Sequence, residues 1–260
     1  MPEGDTLHRT AARLRPALVG AEVRRFEAPR LVGPRPRTGE TIDEVEAVGK
    51  HLMVRFSGGI VLQTHLRMTG SWHLYARGER WRKPPHLARV VLEVPDAVAV
   101  CFSAPVVRTH LGEREASDAV AHLGPDLCRA DADIDEAVAR MARLDPGTEI
   151  GVALLDQRVA AGIGNVYKSE VLWALRVDPF APVGALDEDV RRDLVETAAR
   201  LLRANLTTTR RTTVPGGLAV YGKTRRPCRR CGTPIRARRQ GEQARTTYWC
   251  PRCQSAARAP

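Results

Sequence analysis

Residues 228–253 read CRRCGTPIRARRQGEQARTTYWCPRC, two Cys-x-x-Cys pairs separated by eighteen residues. Two such knuckles supply four thiolates, from Cys228, Cys231, Cys250 and Cys253, to one tetrahedral Zn2+. Four protein sulfurs leave no open coordination position, so the metal is expected to be structural. A redox dithiol usually carries one such pair, not two. The stretch between the pairs suits a β-hairpin, with strands over 233–237 and 246–249 and a polar tip at 239–242. The two other cysteines, Cys101 in an apolar run and Cys128 in a loop-like stretch, read as packing.

The charge gathers around the same segment. The 260 residues carry a formal net charge of +11. From residue 221 to residue 260 there are eleven Lys and Arg against one acid, Glu242. Nearly all the excess therefore lies in the last forty residues, which points to a polyanionic partner such as nucleic acid. No apolar run approaches the ~18–20 residues that span a bilayer, and the start has no basic-then-apolar leader. The expected location is the bacterial cytoplasm, at the nucleoid, where thiols stay reduced.

Upstream, the texture changes along the chain. Residues 21–103 hold short β-rich runs at 51–56, 60–66, 88–94 and 98–102, with turn signals between neighbours, which suggests a sandwich or barrel. One helix precedes them, with Leu7, Ala11, Leu14 and Leu18 at helical spacing. After Ala116 the pattern turns helical, over 134–144, 150–159, 166–175 and 187–205. Between the second and third of these lies Asp156-Gln157 followed by Gly162-Ile-Gly164-Asn165. Two glycines permit positive φ there, Asn165 is a good N-cap, and helix-start amides suit a phosphate oxygen. An ordinary helix–turn–helix corner reads the same way.

Three further places carry possible chemistry. Lys50 follows Gly49 just before a strand, where a lysine is either a solvated turn residue or one that reaches a phosphate. His65, Arg67 and Met68 fall where a strand ends; a Met beside Gly70 is either core or an exposed wedge of the kind inserted between base steps. Finally, the opening Met1-Pro2-Glu3 should lose Met1, leaving a secondary amine. An α-amino group titrates near ~7.7–8.0, so much of it is neutral and nucleophilic at neutral pH. Such an amine forms a cationic iminium with an aldehyde-like sugar carbon, and Glu3 offers a carboxyl for proton transfer. Many chains begin Met-Pro without any such role.

Taken in order, Met1-Pro-Glu-Gly, Gly49-Lys50-His51-Leu52, Asp156-Gln-x4-Gly162-Ile-Gly-Asn-Val-Tyr and Tyr248-Trp-Cys-Pro-x-Cys-Gln254 closely resemble the formamidopyrimidine-DNA glycosylase/endonuclease VIII family. The resemblance runs from Pro2 to Gln254 and is nearest the endonuclease VIII branch of actinobacteria. It implies an α+β multidomain chain: a β-sandwich with flanking helices over 1–117, a helix–two-turn–helix domain over 118–220, and a zinc β-hairpin finger over 221–257. DNA would cross the cleft between the lobes.

The same resemblance implies the site and the reaction. Pro2 would attack the anomeric carbon of a damaged nucleoside, and Glu3 would move protons as the base leaves and the ring opens. Lys50 would contact the phosphodiester and assist elimination. Asn165 would bind backbone phosphate, Arg245 would grip phosphates beside the lesion, and Met68 with Arg67 would fill the void left by the extruded base. The iminium acidifies the neighbouring sugar proton, so β- and then δ-elimination cut the strand. The implied partner is damaged double-stranded DNA, with single-stranded or bubble DNA as a variant, bound by a monomer that does not associate with membranes. The only implied cofactor is one structural Zn2+.

Two departures bear on these expectations. Many family members have a glutamate where this chain has Thr6, with Asp5 one residue earlier. The formamidopyrimidine branch also carries an arginine- and phenylalanine-bearing plug opposite the lesion. Residues 103–110 here lack the Phe, leaving Arg108 as a partial substitute, and this favours oxidised pyrimidines over 8-oxoguanine. Two other readings stay open: a non-catalytic zinc-finger DNA-binding protein of the same fold, and an RNA-binding zinc-ribbon protein of the translation apparatus.

Overall fold

A computed structural model describes residues 2–255, so Met1 and its expected removal, and the end of the proposed finger domain, lie outside the described residues. The chain divides into two compact units, Met1–His122 and Leu123–Pro260.

The first unit opens with α1 (Gly4–Leu18) and continues through eight strands: β1 (Arg25–Glu27), β2 (Ile42–Val48), β3 (His51–Phe56), β4 (Ile60–His65), β5 (Ser71–Ala76), β6 (Ala88–Glu93), β7 (Ala97–Phe102) and β8 (Val106–Leu111). Helix α2 (Gly112–Val120) ends it. The strands make two four-stranded antiparallel sheets, ordered β1-β6-β7-β5 and β2-β3-β4-β8. Alternation along each strand sends every second side chain inward. Leu52, Val54 and Phe56 of β3 meet Leu62 of β4, Val90 and Leu92 of β6, and Ala99 and Cys101 of β7 in one core. Leu7, Ala11, Leu14 and Leu18, the expected helical stripe, close that core along α1. This is a β-sandwich.

The same alternation sends His51, Met53 and Arg55 of β3 to the outer face of the second sheet. Helix α2 covers part of that face, with Ala116 on Met53 and Val61 and an Arg55–Glu113 ion pair at 2.8 Å.

The second unit contains α3 (Ile134–Ala142), α4 (Ile150–Ala153), α5 (Asn165–Ala174), α6 (Glu188–Ala204) and the hairpin β9 (Arg236–Gln240) and β10 (Arg245–Trp249). Leu194, Ala198, Leu201 and Leu202 of α6 pack with Tyr167 and Leu172 of α5, as the apolar stripe of α6 requires. A second, smaller core joins Trp173 to Val220, Ile235, Cys228 and Cys250 beneath the hairpin.

Several boundaries differ from the expectation. The helix expected over 150–159 stops after four residues, because side chains beyond it bond locally. Asp156 accepts from the Arg158 amide, and Gln157 donates to the carbonyls of Leu155 and Ile163. Helix α5 starts at Asn165 itself, with Gly164 as the capping residue. Of the two glycines there, only Gly162 takes a positive φ, at 103°. Hairpin pairing starts at Arg236 rather than 233, since 225–235 is occupied by a bonded turn in which Arg225 N–H donates to the Ile235 carbonyl. Among the described residues no helix is long and apolar enough to cross a membrane.

Candidate active site and nucleic-acid interface

In the first unit, Pro2 is partly exposed and lies one residue ahead of Glu3, the capping residue of α1. Glu3 is fully buried and caps the helix through its backbone, its carbonyl accepting from the Thr6 amide at 2.9 Å. Asp5 is also fully buried, and Arg9 lies 3.5 Å from its carboxylate. The Thr6 hydroxyl donates to Asp5 at 3.3 Å, so Thr6 and Asp5 form a local polar knot on the first turn of the helix.

Lys50 sits in the turn that joins β2 to β3. Its charge bears on two imidazoles, His51 and His65, whose strands pair so that the two residues lie directly opposite. Their rings meet edge to face, with centroids 4.8 Å apart. Burial, helped by these cationic neighbours, pulls both rings down to about 4. His65 accepts from the Arg67 backbone N–H at its Nδ1, 3.1 Å away. Arg67 has a φ of 45°, and the tight loop it shapes leaves Met68 64% exposed. At that exposure Met68 is not a core side chain. Arg108 does not stand in a loop: it lies in β8 opposite Gln63, on the outer face with His51. The connection from β7 to β8 is only residues 103–105.

In the second unit, the buried Asn165 donates through Nδ2 to the Thr246 carbonyl of β10 at 2.7 Å, while its buried Oδ1 has no hydrogen-bond partner among the described residues. Arg245 begins β10, just past the hairpin turn. It lines a cleft of about 610 Å3 that also takes in Asp156, Arg158, Lys168 and Gln240. Gly162 N–H donates to Gln157 Oε1 at 3.2 Å, which closes the glycine turn before α5.

The four finger cysteines converge: their sulfurs all lie within 4.8 Å of one another. Tetrahedral zinc with bonds of about 2.3 Å needs sulfurs roughly 3.8 Å apart, and here Cys231 and Cys250 stand at 3.5 Å, Cys228 and Cys253 at 4.0 Å. Trp173 Nε1–H and the Arg230 amide both point at the Cys228 sulfur, at 3.4 and 3.5 Å, as donors do around a thiolate. These residues hold one structural zinc. Cys101 and Cys128 are buried and belong to the two cores, as expected for packing cysteines.

Sequence reasoning left out several polar residues that the fold brings into play. Gln63 and His110 join His51 on the outer face, visible only once three strands are in register. Lys168, fully buried, donates to Thr247 Oγ1 at 2.6 Å. Glu170 accepts the backbone amides of Ala219, Val220 and Tyr221 at 2.6–2.8 Å. The signal for the last two was their place one turn into a helix that is buried on all sides.

Comparison with known proteins gives a consistent picture. Family models for the formamidopyrimidine-DNA glycosylase N-terminal domain and H2TH domain match residues 1–107 and 123–214, and that for the zinc finger found in FPG and IleRS matches 226–256. A probable endonuclease 8 of Streptomyces coelicolor is 46% identical, covering 98% of this chain and 94% of its own. A DNA-(apurinic or apyrimidinic site) lyase of Mycolicibacterium smegmatis is 42% identical over 98% of this chain and 100% of its own. The formamidopyrimidine-DNA glycosylase of Lactococcus lactis, solved with DNA containing an oxidized pyrimidine, superposes with a TM-score of 0.84 at 23% identity, over 98% of this chain and 100% of that one. With its three parts matched in order and relatives this similar along its whole length, the chain belongs to the formamidopyrimidine-DNA glycosylase/endonuclease VIII family.

Proposed function

We propose that the protein is a bifunctional DNA glycosylase and AP lyase of base excision repair, acting in the bacterial cytoplasm as a monomer on damaged duplex DNA. One observation carries the reading: Pro2 stands partly exposed at the head of α1, next to the buried capping residue Glu3, in a chain 42% identical to a DNA-(apurinic or apyrimidinic site) lyase. With Met1 removed, the Pro2 amine attacks C1′ of the damaged nucleoside and Glu3 manages the protons as the base departs. The resulting iminium draws electrons from the neighbouring C–H bond, so β- and δ-elimination follow. Lys50 steadies the phosphodiester, while Asn165 and Arg245 hold backbone phosphate from the second unit. Met68, with Arg67, fills the vacated stack, and Arg108 adds positive charge on the same sheet. Division of the chain near 117 and 220, with the first boundary moved past α2 to His122, separates these roles into sandwich, helical domain and finger.

The three-residue β7–β8 connection supports a preference for oxidised pyrimidines, since it is too short to project a plug into the opposite strand. The test is borohydride trapping on a duplex with an abasic site, with Met1 removal checked by intact mass. Wild type should form the covalent adduct and Pro2→Gly should lose most of it. No adduct from demethionylated wild type would overturn the lyase reading in favour of a non-catalytic DNA-binding protein. The same protein should excise 5-hydroxyuracil at least about tenfold faster than 8-oxoguanine, and the reverse order would reject the pyrimidine preference.

A further inference from the structure

Gln63 is 3% exposed in the middle of the second sheet, yet its side chain touches two histidines on two different strands. Its Nε2 lies 3.0 Å from His51 Nδ1, and its Oε1 lies 2.9 Å from His110 Nε2. The register explains the bridge. His51 pairs with His65, Gln63 with Arg108, and Val61 with His110, so all these side chains share the outer face and Gln63 is diagonal to both histidines.

An amide is a donor at one end and an acceptor at the other, so its orientation dictates where each imidazole carries its proton. Gln63 Oε1 accepts, so His110 carries its proton on Nε2. Gln63 Nε2–H donates, so His51 Nδ1 is a bare lone pair and its proton also sits on Nε2. Both rings then hold the tautomer that a neutral histidine intrinsically favours, whereas the reversed amide would force both into the other one. His65 is fixed independently: its Nδ1 accepts from the Arg67 amide, which can only donate.

We infer that Gln63 and His110 are positioning residues that lock His51 as a neutral Nε2–H donor beside Lys50, giving the active site an uncharged N–H contact for a DNA phosphodiester oxygen. The inference rests on the glycosylase/lyase reading for the identity of the anion. The surroundings fit it. The groups facing His51 are Lys50, His65, His122 and Arg108, with no carboxylate among them, and His65 faces Lys50 and Arg67. The one acid in the relay, Glu115, acts on His110 at the far end, where Arg108 opposes it. Burial and these cations hold His51 and His65 down to about 4, so neither ring gains charge across the neutral range. A site that already concentrates Lys50, Arg67 and Arg108 thereby gains donors without adding repulsion between cations.

Ring-15N-labelled histidine in the full, zinc-loaded chain reads the tautomers directly, the seven histidines being assigned by single substitutions. At pH 7 His51, His65 and His110 should all be neutral with Nε2–H. An Nδ1–H on His51 in wild type would overturn the inference, because the amide would then run the other way. Gln63→Glu offers only acceptors, so His51 should gain a proton on Nδ1 and titrate much nearer its ordinary value. Gln63→Met keeps the volume and adds no charge, so His51 should become a mixture of tautomers. Affinity for a duplex carrying a tetrahydrofuran abasic analogue should fall by about tenfold in Gln63→Glu and by a smaller but clear factor in Gln63→Met. Wild-type affinity in Gln63→Met, with the His51 tautomer scrambled, would reject the link to DNA. The analogue cannot be cleaved, so this outcome is separate from the trapping experiment that decides the lyase reading.

Discussion

Met68 and Glu3 show how differently two neighbours of one proposed reaction are placed. Glu3 is fully buried although it is a carboxylic acid, and Met68 is 64% exposed although it is apolar. Each departs from the usual burial of its residue type, and the buried acid is the more informative of the two. Because Met68 covers no core, Met68→Ala should change stability by less than about 0.5 kcal/mol. Base removal needs the lesion out of the stack, which costs roughly a few kcal/mol that the wedge offsets. Excision from an intact damaged nucleotide should therefore drop about tenfold in Met68→Ala, while cleavage of a preformed abasic site changes far less. Equal losses on the two substrates, measured in single turnover, would assign Met68 to general DNA contact instead. Thr6, where the family often has glutamate, bonds with Asp5 on the first helical turn, and Arg9 completes that group.

At the scale of elements, α5 is the axle of the second unit. Residues 165–173 are all buried, and Asn165, Lys168, Ser169 and Glu170 in that stretch each bond to a neighbouring segment. Asn165 reaches the Thr246 carbonyl, Lys168 the Thr247 hydroxyl, and Ser169 accepts from the Tyr248 amide, three consecutive residues of β10. Thr247 in turn donates to Gln240, whose Nε2 donates to Glu149 at 2.9 Å and to the Pro179 carbonyl at 2.8 Å. Gly151 of α4 lies so close to that Gln240 amide that any Cβ would collide with it. The hairpin that carries Arg245 is thus keyed to the helix that carries Asn165.

Glu170 does the same for the segment before the finger, taking three backbone amides and the Thr213 hydroxyl on one carboxylate. Charge-assisted bonds to a buried carboxylate are worth ~1.5–3 kcal/mol each, and a replacement amide would turn an N–H toward other donors. Glu170→Gln should cost about 2–4 kcal/mol in urea unfolding and raise amide exchange at residues 219–221. Unchanged exchange there would mean that the carboxylate does not organise this segment.

At the scale of the whole molecule, the finger is built around four metal-ligating cysteines and the sandwich around an extended apolar core. The core beneath the hairpin is small, built around Trp173, Val220, Ile235 and two of the cysteines themselves. Structural zinc contributes roughly 10–16 kcal/mol to comparable small folds. Chelation should therefore unfold the hairpin and abolish DNA binding, while residues 1–122 keep a cooperative β-sheet melt. Retention of full DNA affinity by the metal-free chain would show that the finger contributes nothing to the interface.

Much of this architecture was legible from residues alone, wherever a local rule fixes the outcome. The four-cysteine spacing determined a closed zinc set, the period of 3.6 determined α1 and α6, and the short β-rich runs determined four of the eight sandwich strands, β3, β4, β6 and β7. Charge counting placed the basic surplus around the finger. The sequence could not determine the short end of α4, because helix propensity there loses to side-chain bonds from Asp156 and Gln157. Nor could it determine the strand placement of Arg108 or the union of His51, Gln63 and His110. Those depend on register across three strands, in which residues twelve and forty-seven positions apart become neighbours. Local chemistry is written in the chain, but which polar groups face one another is decided when the sheet closes and buried groups must find partners.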